Sequence, residues 1–309
     1  MKRKLIFNIA LSLALLLILV AIAPAQTTPK ALKKRVAVFA FEDKTDHTWH
    51  WWTGQPVGQG MADMLVTELV KSGKYKVIER QEIEKILSEQ KMGQTGLVTP
   101  ESAAKVGQLL GVELAVIGSV TEFGHKQSNT GGRIKGFGLG VSNIAASVGI
   151  DVRFINTNTG EILAADNVRE EESKKGISVS TPQVDFKNQN DFDESVVGKA
   201  TRKAIQKIMT MLDDKSASIP WEGKIVIVKG TTVIINAGAE AGVQVGDVFY
   251  IYSKGEDLVD PDTGLSLGSL DSKIGSIQVT NNNVGNGKAS QCVIKEGSGF
   301  EKGYSVKIQ

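Results

Sequence analysis

The sequence predicts an α/β (α+β) sandwich with an inserted β-hairpin, followed by a small all-β barrel. Three observations carry that reading. A short apolar, partly β-branched run at 36–41 precedes an amphipathic helix pattern and a second apolar run. Thr99-Pro100-Glu101 supplies an N-cap, a first-turn proline and a first-turn acid for another helix, which leads into a third strand-like run at 113–120. From Trp221 onward the chain turns into short apolar runs separated by Gly-, Asn- and Asp-rich turns.

The chain has 309 residues, of which 41% are hydrophobic, enough for two domains beside a targeting segment. Residues 1–25 read as a signal peptide: Lys2, Arg3 and Lys4 precede an apolar run from Leu11 to Ile22, and Ala23-Pro24-Ala25 is a small-x-small cleavage pattern. The alternative is an uncleaved anchor helix, for which the apolar run is short. Cleavage removes three basic residues and no acidic one, which turns a formal charge of +2 into a deficit of one. Nothing in the charge points to nucleic acid as a partner. Cys292 is the single cysteine, which excludes an intrachain disulfide, and no cysteine follows the signal for lipidation. The expected localisation is outside the cytoplasm, in the periplasmic space or at the outer membrane.

A polar leader occupies 26–34, and the first domain is expected over 35–212. After its first strand comes a loop with Asp43, Asp46, His47, His50, Trp49, Trp51 and Trp52. The acids and histidines have only generic spacing for a metal and read as solvated loop residues. The tryptophans are either a partner-contact patch or a lid over the core. The helix over 56–71 sets Met61, Met64, Leu65, Glu68 and Leu69 on one face, and Gly73 stops it. A strand at 75–78 follows, then helices over 81–90 and from 100 to Leu110, the last closed by Gly111.

The segment 133–154 is expected to form a hairpin about a turn at Ser142-Asn143. Pairing about that turn places Phe137, Leu139, Val141, Ile144, Ala146 and Val148 on one apolar face and small residues on the other. That pattern fits a membrane-spanning hairpin, and equally a long hairpin packed on the sandwich. A second, more polar hairpin is expected at 175–186, interrupted by Pro182. A helix from 192 to 212 closes the domain. Residues 213–221 read as a linker, and 222–309 as the all-β domain. In it, AGVQVGD before FYIY and GFEKG before YSVKI look like two copies of one turn-into-strand unit.

For chemistry the chain offers little. Gly136-Phe-Gly138-Leu-Gly140 lacks the spacing and helix of a phosphate loop, and neither GxxxxGK[ST] nor GxSxG occurs. His125 is the one histidine outside the tryptophan loop. No catalytic set, cofactor or metal site is expected, and the protein is not expected to be an enzyme.

The blocks VAVFAFED, GQGMADMLVTELVKSGKYKVIERQEIEKILSEQ, LGVELAVIGSVTEFG and INTNTGEILAA resemble the CsgG family, named for the curli secretion channel. The resemblance covers about 36–212 and implies a sandwich of the CsgG/TolB-N-terminal type. The C-terminal domain is similar to that of FlgT-like proteins through AGVQVGDVFYIY. Family resemblance implies a homo-oligomeric envelope component for protein export, in which 133–154 aligns with the first pore hairpin and 175–186 falls where the second would lie. The implied partners are further copies, other envelope proteins or a secreted protein, and the outer membrane. The absent lipidated cysteine, the polar second hairpin and the added barrel depart from the family pattern and leave a second expectation, a periplasmic scaffold that forms no pore.

Overall fold

The computed structural model describes residues 32–45, 54–89, 98–134, 137–177, 188–262 and 266–308. The expected signal peptide, most of the polar leader, the tryptophans Trp49, Trp51 and Trp52, and 178–186 of the expected second hairpin lie outside the described residues.

The chain begins with β1 (Lys34–Val38) and β2 (Glu42–Asp43), which lead to helix α1 (Val57–Ser72). Met61, Leu65 and Leu69 are fully buried along one side of α1, and Gly73 takes the left-handed conformation, φ 67°, that ends it. Next come β3 (Tyr75–Val77), α2 (Arg80–Glu89) and α3 (Pro100–Leu110). At α3 the Ser102 amide donates to Thr99 Oγ1 at 3.3 Å while the Thr99 amide donates to Ser102 Oγ at 3.0 Å, a reciprocal cap that satisfies otherwise orphaned donors.

Three long strands follow: β4 (Leu114–Ile134), β5 (Phe137–Asn156) and β6 (Ile162–Ile177). The short α4 (Gln189–Glu194) and the long α5 (Val196–Ser216) complete the sandwich. The sheet order is β3-β1-β4-β5-β6, parallel among the first three and antiparallel thereafter. Neighbouring residues in a strand serve opposite faces. Val36, Val116 and Phe154 pack with Met61, Leu65 and Ile208 under α1 and α5, while Ala37, Ile117 and Ile155 pack with Ile83 and Val106 under α2 and α3.

The expected hairpin turn is corrected. Ile134 pairs with Phe137, and Ser142 and Asn143 lie within β5, opposite Asn129 and Ser128. Because β5 is continuous, odd and even positions lie on opposite faces, so Phe137, Leu139 and Val141 do not share a face with Ile144, Ala146 and Val148. The alternating arms of the expected hairpin are successive parts of one strand. Its true partner, from Thr121 to Ile134, is polar and glycine-rich apart from Phe123 and Ile134 and lacks apolar alternation, and β4 extends well past the strand end expected at Val120. Of the second hairpin, Lys175, Gly176 and Ile177 continue β6 beside Asn143, Ser142 and Val141.

The barrel consists of β7 (Glu222–Lys229), β8 (Thr232–Ile235), β9 (Val248–Ser253), β12 (Ser272–Val284), β13 (Ala289–Gly297) and β14 (Ser305–Lys307), closed in the order β12-β13-β8-β7-β14-β9. Each of its strands contains an apolar run evident in the sequence. Between β9 and β12, β10 (Asp257–Val259) and β11 (Ser266–Ser269) make a separate ribbon. Trp221 stands 5.5 Å from Phe249 in the barrel core, among Ile225, Ile251, Ile277 and Val306. The two repeated turns share backbone geometry as well as sequence: Gly242 and Gly246 have φ of 92° and 97°, and Gly299 and Gly303 have 74° and 91°. A side chain would strain each of these positions.

Sandwich and barrel belong to one compact unit. Leu32 lies in the barrel core, and the Lys33 amide donates to the Ala241 carbonyl at 2.9 Å. Two residues further on, Arg35 Nη2 bonds Glu113 Oε1 at 3.0 Å and donates to the Glu222 carbonyl at 2.8 Å. Tyr75 donates its hydroxyl to Asp213 Oδ1 at 2.7 Å, and Lys76 pairs with Glu240 at 3.0 Å. Between the two, α5 stays helical to Ser216, Ile219 is buried in the sandwich core and Trp221 in that of the barrel.

Candidate functional site

The candidate site is an arm made by β4, β5 and β6. The irregularity between Val120 and Glu122 is where the ladder leaves the sandwich proper. Beyond it β4 and β5 pair from Glu122–Gly149 out to Ile134–Phe137, roughly 40 Å at about 3.4 Å per residue. β6 accompanies them as far as Ile177 beside Val141.

One face of the arm's base is held by α5. Ala146 and Val148 are buried there with Phe123, Val168, Phe192, Val197 and Ala200. Above this apolar contact, Lys203 pairs with Glu172 and Lys207 with Glu170. The spacing explains the match: four residues of helix advance about 6 Å and two residues of strand about 6.8 Å, so the two ladders stay in step. The hydrogen bond and charge of Glu172 hold the Lys203 ammonium above the usual lysine range.

On the opposite face the register places Glu122, Gly149 and Arg169 in one row. Arg169 Nε donates to both oxygens of Glu122, at 3.0 and 2.9 Å, across the central strand. Gly149 makes this crossing possible, since a Cβ there would lie 2.9 Å from Thr121 Oγ1 and 3.2 Å from Glu122 Cβ. Arg169 also pairs with Glu171 at 2.5 Å, and these two carboxylates push its guanidinium pKa upward.

The hairpin candidates thus separate. Ala146 and Val148 are core residues of the arm's base and Ile144 is half-buried, whereas Phe137, Leu139 and Val141 belong to its outer part. Trp49, Trp51 and Trp52 lie outside the described residues. Glu122, Arg169, Lys203 and Lys207 were not among the expected site residues. The signal for the lysines was present in two basic residues four apart opposite the acidic run at 170–172. His125 stands in register beside Ala146 at the base of the arm. Cys292 is buried in the barrel core, and burial pushes its thiol up to about 12, which leaves it protonated and unreactive at neutral pH. Among the described residues no group of three or more His, Cys, Asp or Glu could hold a metal ion, and no helix is long and apolar enough to cross a membrane.

Comparison with known proteins gives three results. No curated protein matches the chain. Among solved structures it is similar to the hypothetical protein CT253 from Chlamydia trachomatis, at 15% identity over 60% of this chain and 99% of that one with a TM-score of 0.38. It is also similar to lipoprotein GNA1162 from Neisseria meningitidis, at 15% identity over 60% and 99% with a TM-score of 0.34. A PelC dodecamer from Paraburkholderia phytofirmans matches at 11% identity over 58% and 87% with a TM-score of 0.28. The family model described as curli production assembly/transport component CsgG matches residues 20–225, well over half of the chain, from before β1 into β7. The chain therefore belongs to the CsgG family.

Proposed function

We propose that this protein is an exported, homo-oligomeric assembly/transport component of the bacterial cell envelope that serves the export of a secreted protein, as in curli production. Its part is non-enzymatic. Family membership supports the envelope role. The observation that carries the assembly role is the arm, whose β4–β5 ladder runs far beyond the helices that cover its base. Strands that continue past their covering layer present backbone groups and side chains to a neighbour.

One observation favours a second reading, in which the arm joins subunits or other envelope proteins without lining a pore. The register sets Phe137, Leu139 and Val141 opposite Ile134, Gly132 and Thr130, and the rows nearer the sandwich bring in Lys126, Ser128 and Asn143. The apolar rows extend about 14 Å along the strand at about 3.4 Å per residue, against the ~25 Å band of an outer-membrane barrel.

The test replaces residues 128–143 by a two-residue turn, which shortens the arm and keeps Ala146 and Val148 in place. Loss of rings on native gels and on cross-linking is expected, with secondary structure retained. Assembly unchanged by the truncation defeats the proposal. Planar-bilayer conductance of the full chain then separates the readings: stable channels favour the pore, and rings without conductance favour the scaffold.

A further inference from the structure

A cleft of about 140 Å³ opens where β1 gives way to β2, walled by Phe41, Val98 and Ile117 and edged by charged groups. Its origin is a mismatch in the sheet. Val38 stands beside Val116 and Glu42 beside Ser119, so the β1–β2 side uses one residue more than β4 over the same rise. An extra residue of this kind bends the strand and opens the ladder.

Four charged residues line the cleft: Glu42, Lys44, Asp151 and Arg153. Their formal charges cancel, yet they are not equally engaged. Lys44 pairs with Glu42 at 3.1 Å, and Asp151 Oδ1 accepts from Asn167 Nδ2 at 2.6 Å. Arg153 is solvent-exposed and Asp151 half-buried, and among the described residues neither the Arg153 guanidinium nor Asp151 Oδ2 makes a hydrogen bond or ion pair within the protein. Asp151 and Arg153 lie two apart on β5, so they share a face at about 6.8 Å without bonding each other.

An anion attracted by Arg153 would be opposed by Asp151, and a cation would meet the reverse. A molecule bearing both charges satisfies both groups at once. The volume equals about five waters' share of liquid, room for the charged head of an α-amino acid, and Val98, partly exposed at the edge of the cleft, offers an apolar contact for its side chain. We propose that this cleft binds a small zwitterion, a free apolar α-amino acid, with its carboxylate on Arg153 and its ammonium on Asp151. The assignment does not depend on the assembly role of the arm.

The test is calorimetric titration of the full chain with leucine, N-acetyl-leucine and leucinamide, alongside amide-resonance mapping of Ser119 and Arg153. Leucine is expected to bind and to shift both resonances. Each blocked analogue, and leucine with R153Q, is expected to bind about tenfold more weakly or worse, because each loses a charge-assisted contact. Should R153Q fail to fold, R153K serves, with weakened binding expected because a point charge replaces the fork. Equal binding of N-acetyl-leucine, undiminished binding by the Arg153 variant, or no leucine-dependent shift overturns the proposal.

Discussion

The barrel and the arm are both antiparallel β structure, yet they treat their edges in opposite ways. In the barrel, six strands close on themselves, so each finds a partner on both sides. In the sandwich the sheet stays open and ends at β3 and β6, with the arm as its extension. Closure removes the template for adding another chain, and an open ladder retains it. The difference teaches where the molecule leaves a ladder open: along the outer strand that bears Arg169, Glu171 and Lys174.

This contrast can be broken or sharpened in order of expected effect. Phe154 and Phe249 are fully buried in the sandwich and the barrel respectively, and each Phe→Ala change is expected to cost about 3–5 kcal/mol. Because the junction binds both parts into one unit, either variant should reduce hydrogen-exchange protection throughout. Protection lost in one part alone would show that they are energetically separate. Next in size is Glu113→Ala, which strips a buried carboxylate from Arg35; because Arg35 is partly exposed and keeps its bond to the Glu222 carbonyl, a loss of about 2–3 kcal/mol is expected in denaturant unfolding.

Gly149→Val should cost about 1–3 kcal/mol by overpacking against Thr121 and Glu122 and should break the Arg169 crossing. If melting and arm-dependent assembly are both unaltered, the crossing does not brace the arm. The smallest effect is expected at Glu222. Burial pushes its carboxyl up, but Lys224, Ser305 and Lys307 outweigh burial and hold it below the usual range. A depressed folded-state value means its contribution is present above the unfolded value near 4.3 and is lost as pH falls through the lower, folded one. The acid-side decline of melting temperature should therefore be shallower in Glu222→Gln.

Much of the sandwich was legible because its signals are local. Thr99, Pro100 and Gly111 bound one helix, and Met61, Leu65 and Leu69 define the buried side of another. The barrel strands were legible for the same reason, as short apolar runs with glycine turns. The arm was not. Ser142-Asn143 has turn-forming residue types, and whether such a pair turns or continues depends on what lies beside it. Here Asn129 and Ser128 lie beside it, in a stretch with no apolar alternation to announce a strand. Cross-strand relations such as Glu122 to Arg169 are likewise invisible before the register is known. Trp49, Trp51 and Trp52 fall outside the described residues.

Leu32 gives the molecule a schedule. A ribosome makes this residue long before Phe249 and Val306, the side chains of the core in which it comes to rest. Because Leu32 packs in the barrel core, the lead-in to β1 is secured once the last quarter of the chain has folded. Completion of the barrel then fastens the beginning of the fold to its end, and a chain cut short before β14 would leave that fastening undone.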